Sequence, residues 1–248
     1  MNFTAKFYKS KMSDTTITTL NFRNHLAFHE ARLLRGAINT IIDGRVNPEL
    51  NNHVNNDSLY YGYPAIQYKS INGNAALVAM GDTFNLLGEI VKKGSTPATL
   101  GYKECLLEVM NVEQERYQPL VDGVPKFYRI VKYLPFTNEA YNNYRKTLAL
   151  TDRVCMIESM IVSNMLLFFK AIGYVCVDRL VCNIVRVEDV SWERYKNIKF
   201  RCFDLQFVTN ALLPNNIGLG KSTSIGFGTL QRLSQSEFDQ FDFGNLGD

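Results

Sequence analysis

The chain has 248 residues, 46% hydrophobic and 21% charged, which excludes a disordered polyelectrolyte and supplies a core for one large domain or two small ones. Lys and Arg number 27 against 24 Asp and Glu, a net charge of +3, so a polyanion partner would need a local basic patch. Five cysteines (Cys105, Cys155, Cys176, Cys182, Cys202) form no CxxC pair, which suggests free thiols and a cytoplasmic, reducing setting.

In chain order, the N-terminal stretch MNFTAKFYKSKMSDTT has no apolar h-region, so no signal peptide is expected. TTITTLNF (Thr15–Phe22) is β-branched and alternating, a strand. HEARLLRGAINTIID (His29–Asp43) sets Ala31, Leu34, Ile38, Ile41 and Ile42 at helical spacing, with Gly44 as the expected C-cap. RVNPELNNHVNNDS is rich in Asn and Asp and predicts a loop. YPAIQYKSI and NAALVAMG flank Asn72-Gly73, the pattern of a two-residue hairpin. DTFNLLGEIVKKG predicts a helix with Asp82 as N-cap and Gly94 as stop. TPATLGYKECLLEVMNV closes with a strand. The order β-α-β-β-α-β is a ferredoxin-like unit.

A weaker copy follows, beginning near Asp122-Gly123. VPKFYRIVKYLPF is a strand, with Lys126, Tyr128, Ile130 and Lys132 expected on one face and Phe127, Arg129 and Val131 on the other. Two helices come next, with caps expected at Thr137 and Thr151. The apolar run MIVSNMLLFFKAIGYVCV is broken by Ser163, Asn164 and Lys170, so it predicts a buried helix entering a strand and not a membrane span. Phe168 and Phe169 lie on its apolar stripe and are expected to pack. A long β-rich stretch, turning at Lys196-Asn197, leads through a glycine-rich loop to a last strand, FGTLQRL. The expected fold class is α+β, with two tandem ferredoxin-like (RRM-like) domains, residues 1–121 and 122–248, and a C-terminal glycine-rich loop.

That loop, IGLGKSTSIGFGTL (Ile217–Leu230), contains Gly-Lys-Ser but is not a P-loop. Asn215 stands where the first glycine belongs, and only 18 residues follow Leu230, too few for the strand and carboxylate that hold magnesium. Gly218, Gly220, Gly226 and Gly228 suggest positive φ angles or close approach of backbone. Lys221, Ser222, Thr223 and Ser224 bring one cation and three hydroxyls, which suits a phosphate backbone. A tight link between two strands is the plainer alternative.

RLLRGAI, a His in a polar loop, YGYPAIQYKSINGNAALVAMG and GLGKSTSIGFG together resemble the CRISPR repeat-processing endoribonucleases, the sixth family of CRISPR-associated proteins in the RAMP superfamily. The resemblance spans Arg32 to Gly228. It implies metal-independent cutting of repeat RNA by its own 2′-hydroxyl, leaving a 2′,3′-cyclic phosphate and a 5′-hydroxyl, with no cofactor. Lys221, Ser222 and Ser224 would meet RNA phosphates, with Gly218, Gly220, Gly226, Gly228 and Arg35 as further RNA-binding candidates. The partners implied are CRISPR repeat RNA and its guide products, and the further candidates are other effector subunits or a second copy of the chain; no membrane partner is expected.

Histidine suits the base because its pKa lies near 6.5, and His53 lies in the loop where this family often places its catalytic His. His25 and His29, four apart at the start of the helix, have no further Cys or His cluster for a metal site. Some members pair the His with a Tyr on the first helix and a Lys shortly after the His; here those positions fall on Asn39 and near Leu59. Tyr60, Tyr61, Lys69 and Arg35 are the substitutes considered, against readings as strand-entrance packing, a solvated strand face and a helix-surface cation. A catalytically inert RNA-binding subunit is the alternative.

Overall fold

A computed structural model describes residues 14–45, 47–51, 53–55, 58–59, 62–195 and 198–239. The first sheet opens with β1 (Thr15–His25), followed by α1 (Ala31–Ile42), which seats Ala31, Leu34, Ala37 and Ile38 against it. The helix stops one residue earlier than the sequence predicts. Asp43, not Gly44, takes the left-handed conformation, and its carboxylate accepts from the Arg45 N–H and side chain; a short polar side chain tolerates that region.

The Asn-rich segment is more than a loop. A 3₁₀ turn (Pro48–Asn51) leads into a small ribbon, β2 (His53–Asn55) against β3 (Ser58–Leu59). The hairpin of β4 (Ile66–Ile71) and β5 (Asn74–Met80) turns at Asn72-Gly73, both with positive φ, as a type I′ turn requires. The next helix is mostly 3₁₀ (Gly81–Leu87), with only α2 (Gly88–Lys93) fully α-helical. Asp82 therefore lies inside the 3₁₀ segment and is not its cap, whereas Gly94 ends α2 in the left-handed region as expected. Two strands follow instead of one: β6 (Ser95–Leu100) and β7 (Lys103–Tyr117).

The sheet order β4-β5-β1-β7-β6 is ferredoxin-like with β6 added at the edge. After Asn74, β5 is apolar because its faces serve two cores. Ala75, Leu77 and Ala79 meet α1's side, while Val78 and Met80 join the core of the second domain.

Gln118 and Pro119 link the sheets, so Asp122-Gly123 lies inside β8 (Leu120–Tyr133). After it come α3 (Asn138–Lys146), capped by the Thr137 hydroxyl as expected, and α4 (Leu150–Ala171). Thr151 is inside α4; the extended residue before it is Ala149, whose carbonyl accepts from Arg153 N–H. α4 is long and apolar enough to cross a membrane, yet it lays Ile157, Ile161, Met165, Phe168 and Phe169 into the core. The chain then runs without a strand to Cys182, where β9 (Cys182–Tyr195) begins and pairs with β10 (Ile198–Leu212). Lys196 and Asn197 lie outside the described residues. β11 (Thr229–Leu233) and a short α5 (Gln235–Asp239) complete the second sheet, ordered β11-β8-β10-β9.

This is again the ferredoxin-like order, but no α-helix stands between β10 and β11, only a single 3₁₀ turn, Thr223–Ile225. The glycine-rich loop occupies that stretch, which is why the second half looked like a weaker copy. One expected face is also corrected. On β8 Ile130 pairs with Leu205 but Tyr133 with Phe203, one residue more on β8 than on β10. This bulge places Lys132 at φ +51 and turns it away from the core face of Tyr128 and Ile130.

Candidate RNA-binding and catalytic site

The loop closes by backbone bonds. Leu219 N–H donates to Gly228 C=O at 2.8 Å, and Leu230 N–H to Ile217 C=O at 2.8 Å. Gly228 N–H donates to Lys132 C=O and Lys221 N–H to Leu134 C=O, both 3.0 Å, so the β8 bulge and the residues after it seat the loop. Gly228 has φ +65, and a Cβ on it would lie 1.8 Å from the Leu219 carbonyl oxygen. Gly220 has φ +95, and a Cβ there would lie 2.7 Å from the Tyr133 ring. Only glycine fits either position. Gly218, Gly226 and Gly228 are buried, so they shape the loop from inside, while the Lys221 side chain is exposed and Gly220, Ser222 and Ser224 are partly so.

The loop leans on the first domain through residues whose place the sequence alone did not reveal. Tyr63 donates its hydroxyl to Gly218 C=O at 2.7 Å, and Gly218 N–H donates to Gln67 Oε1 at 2.9 Å. Lys69, read from the sequence as a solvated strand residue, is 0% exposed. Its Nζ donates to Thr229 Oγ1 at 3.0 Å, and that hydroxyl donates to Gly226 C=O at 2.9 Å. Burial pulls the Lys69 pKa down to about 7. The signal available in the sequence was a strand with polar residues two apart; alternation puts Gln67 and Lys69 on one face but does not say what covers it.

The opposite face of β4 leads to the expected catalytic segment. The Tyr68 hydroxyl donates to Leu50 C=O at 3.0 Å, three residues before His53. Burial holds that phenol above its usual pKa, and the Arg35 guanidinium nearby opposes the shift. Arg35, on α1, is half-buried near Tyr68. The Tyr68 carbonyl lies 3.4 Å from where a Cβ on Gly226 would stand. β4 therefore bonds the turn before the His53 ribbon from one face and the glycine-rich loop from the other. His53 is the first residue of β2, paired with Leu59; Tyr60 and Tyr61 lie outside the described residues.

A cleft of about 150 Å³ lies where the domains meet, lined by Phe28, His29 and Arg32 of the first and Glu193, Arg194, Ile225 and Phe227 of the second. Phe28 packs edge-on against Phe227 at 4.9 Å. Among the described residues Arg32 and Arg194 form no ion pair. The cations of β8 are engaged instead. Lys126 is paired with Asp122, Arg129 with Glu188 at 2.6 Å, and Lys132 reaches Ser191 at 2.8 Å and Glu193 at 3.4 Å. His25 is exposed beside the Gly73 turn, away from this cleft. Among the described residues no three His, Cys, Asp or Glu side chains gather as metal ligands.

Residues 13–118 match the Cas6b N-terminal domain and residues 121–233 the Cas6b C-terminal domain. A crystal structure of Cas6b superposes with a TM-score of 0.80 at 20% identity, covering 89% of this chain and all of that one. A second, of the CRISPR RNA processing endoribonuclease Cas6b, gives 0.68 at 19% identity, covering 89% of this chain and all of that one. An uncharacterised protein of Methanocaldococcus jannaschii is 26% identical over 61% of this chain and 92% of its own length. With both of its domains matched, the chain belongs to the Cas6b family of Cas6-type CRISPR RNA processing endoribonucleases.

Proposed function

We propose that the protein cuts CRISPR repeat RNA without a metal ion, with the N-terminal domain supplying the base and the C-terminal domain the phosphate-binding loop. The supporting observation is the convergence at β4, where the Tyr68 hydroxyl bonds the 3₁₀ turn three residues before His53 while Gln67 and Lys69, on either side of it, hold the glycine-rich loop. His53 takes the proton of the 2′-hydroxyl, and the 2′-oxygen attacks the adjacent phosphorus. The bond from phosphorus to the 5′-oxygen breaks, and Tyr60 or Tyr61 returns a proton to that oxygen. The products are a 2′,3′-cyclic phosphate and a 5′-hydroxyl. Lys221, Ser222 and Ser224, on the exposed side of the loop, hold backbone phosphates, and Arg35 supports the ribbon through Tyr68. Free thiols at all five cysteines suit a cytoplasmic enzyme.

One observation favours a second reading, an RNA-binding subunit that does not cut. Asn39 occupies the helix position at which the resemblance implies a Tyr in some members. Single-turnover cleavage of labelled repeat RNA in EDTA separates the two. Cleavage with a 5′-hydroxyl product supports the first reading; tight binding without cleavage supports the second; a metal requirement or a 5′-phosphate overturns the mechanism.

A further inference from the structure

Lys69 has no part in the chemistry above, yet its setting is specific. Its amine is fully buried between β4 and β11, and no carboxylate pairs with it among the described residues. Burial is the one influence on its proton, with no ionisable neighbour contributing. A buried amine of this kind lowers stability, and an apolar side chain of similar length would fit the same space at less cost. What the amine provides is a directional contact. It donates to Thr229, and Thr229 donates to the Gly226 carbonyl, at the C-terminal end of the loop. Gln67, two residues away on the same face, and Tyr63 hold Gly218 at the other end. The residues between those anchors include the exposed Lys221 and the partly exposed Ser222 and Ser224.

We propose that Lys69 is a positioning residue for RNA, which fixes the glycine-rich loop from the first domain so that its tip meets the phosphate backbone in one pose. The inference rests on the reading that the loop binds repeat RNA. It separates from a structural role by sign: a structural lysine raises stability, whereas this one gives up stability for orientation.

The test is Lys69→Met, with Thr229→Val as a second break in the same relay, both assayed with labelled repeat RNA. For Lys69→Met the thermal midpoint at pH 7 is expected at or above that of the unmodified protein. The RNA concentration for half-maximal cleavage should rise roughly 2- to 10-fold, the effect of one lost hydrogen bond, while the rate at saturating RNA stays unchanged. Thr229→Val should raise the same half-maximal concentration. The unmodified protein should also gain stability relative to Lys69→Met as pH climbs from about 7 towards 10.5, because the unfolded lysine keeps its proton over that range and the buried one does not. Unchanged half-maximal concentration in both variants overturns the proposal, and so does a Lys69→Met protein that loses its fold and its saturating rate together. If the unmodified protein neither binds nor cuts the RNA, the functional reading itself fails, and the inference with it.

Discussion

The two domains share one sheet order but are completed differently. The first builds α1 and the 3₁₀–α2 segment between its strands and packs them into a core of its own. The second has α3 and α4 after its first strand, but between β10 and β11 it has no α-helix, only the glycine-rich loop with one 3₁₀ turn, Thr223–Ile225. That loop is held by the β8 bulge on one side and by Tyr63, Gln67 and Lys69 of the first domain on the other. A helix satisfies its own backbone; a loop must find its partners elsewhere. The second domain is therefore finished by the first, and a segment held at both ends can still present an exposed tip.

Two glycines break or sharpen this contrast. Gly228→Ala puts a Cβ into the Leu219 carbonyl at a positive φ, and should destabilise the protein by about 3 kcal/mol or more, read as a lowered denaturant midpoint. Gly36, within α1, has open space around its Cβ position and no positive φ. Gly36→Ala should stabilise by about 0.5–1 kcal/mol. Equal effects from the two substitutions would mean that the loop is not the tightly seated element described. The smallest expected change is at the tip. The Lys221 side chain is exposed and, among the described residues, only its backbone N–H is engaged, so Lys221→Ala should leave the thermal midpoint unchanged. It should flatten the log–log salt dependence of RNA binding by about 0.7–0.9, one phosphate's worth of counterion release. An unchanged slope with unchanged affinity would assign the whole loop to structure.

What could be read from the sequence was set by local chemistry. Asn72-Gly73 determines its own turn, α1 shows its apolar stripe, and the loop announces its backbone by its glycines. Lys132 was misplaced because the bulge that turns it depends on pairing with β10, about 70 residues later. Lys69 was misjudged because its cover, Thr229, is 160 residues away. The caps expected at Asp82 and Thr151 failed because neighbouring residues start those helices earlier. His53 and the mismatch at Asn39 are singled out only by the resemblance to a family; periodicity alone reveals neither.

The division of labour, in which the loop binds and the first domain cuts, is tested by His53→Ala assayed for single-turnover cleavage and RNA affinity on the same substrate. The rate should fall by roughly 10²–10⁴, the usual worth of an acid–base group, with affinity nearly unchanged because phosphate contacts dominate binding. Normal cleavage by His53→Ala, with His29→Ala inactive, would contradict this and move the active site to the cleft at the start of α1.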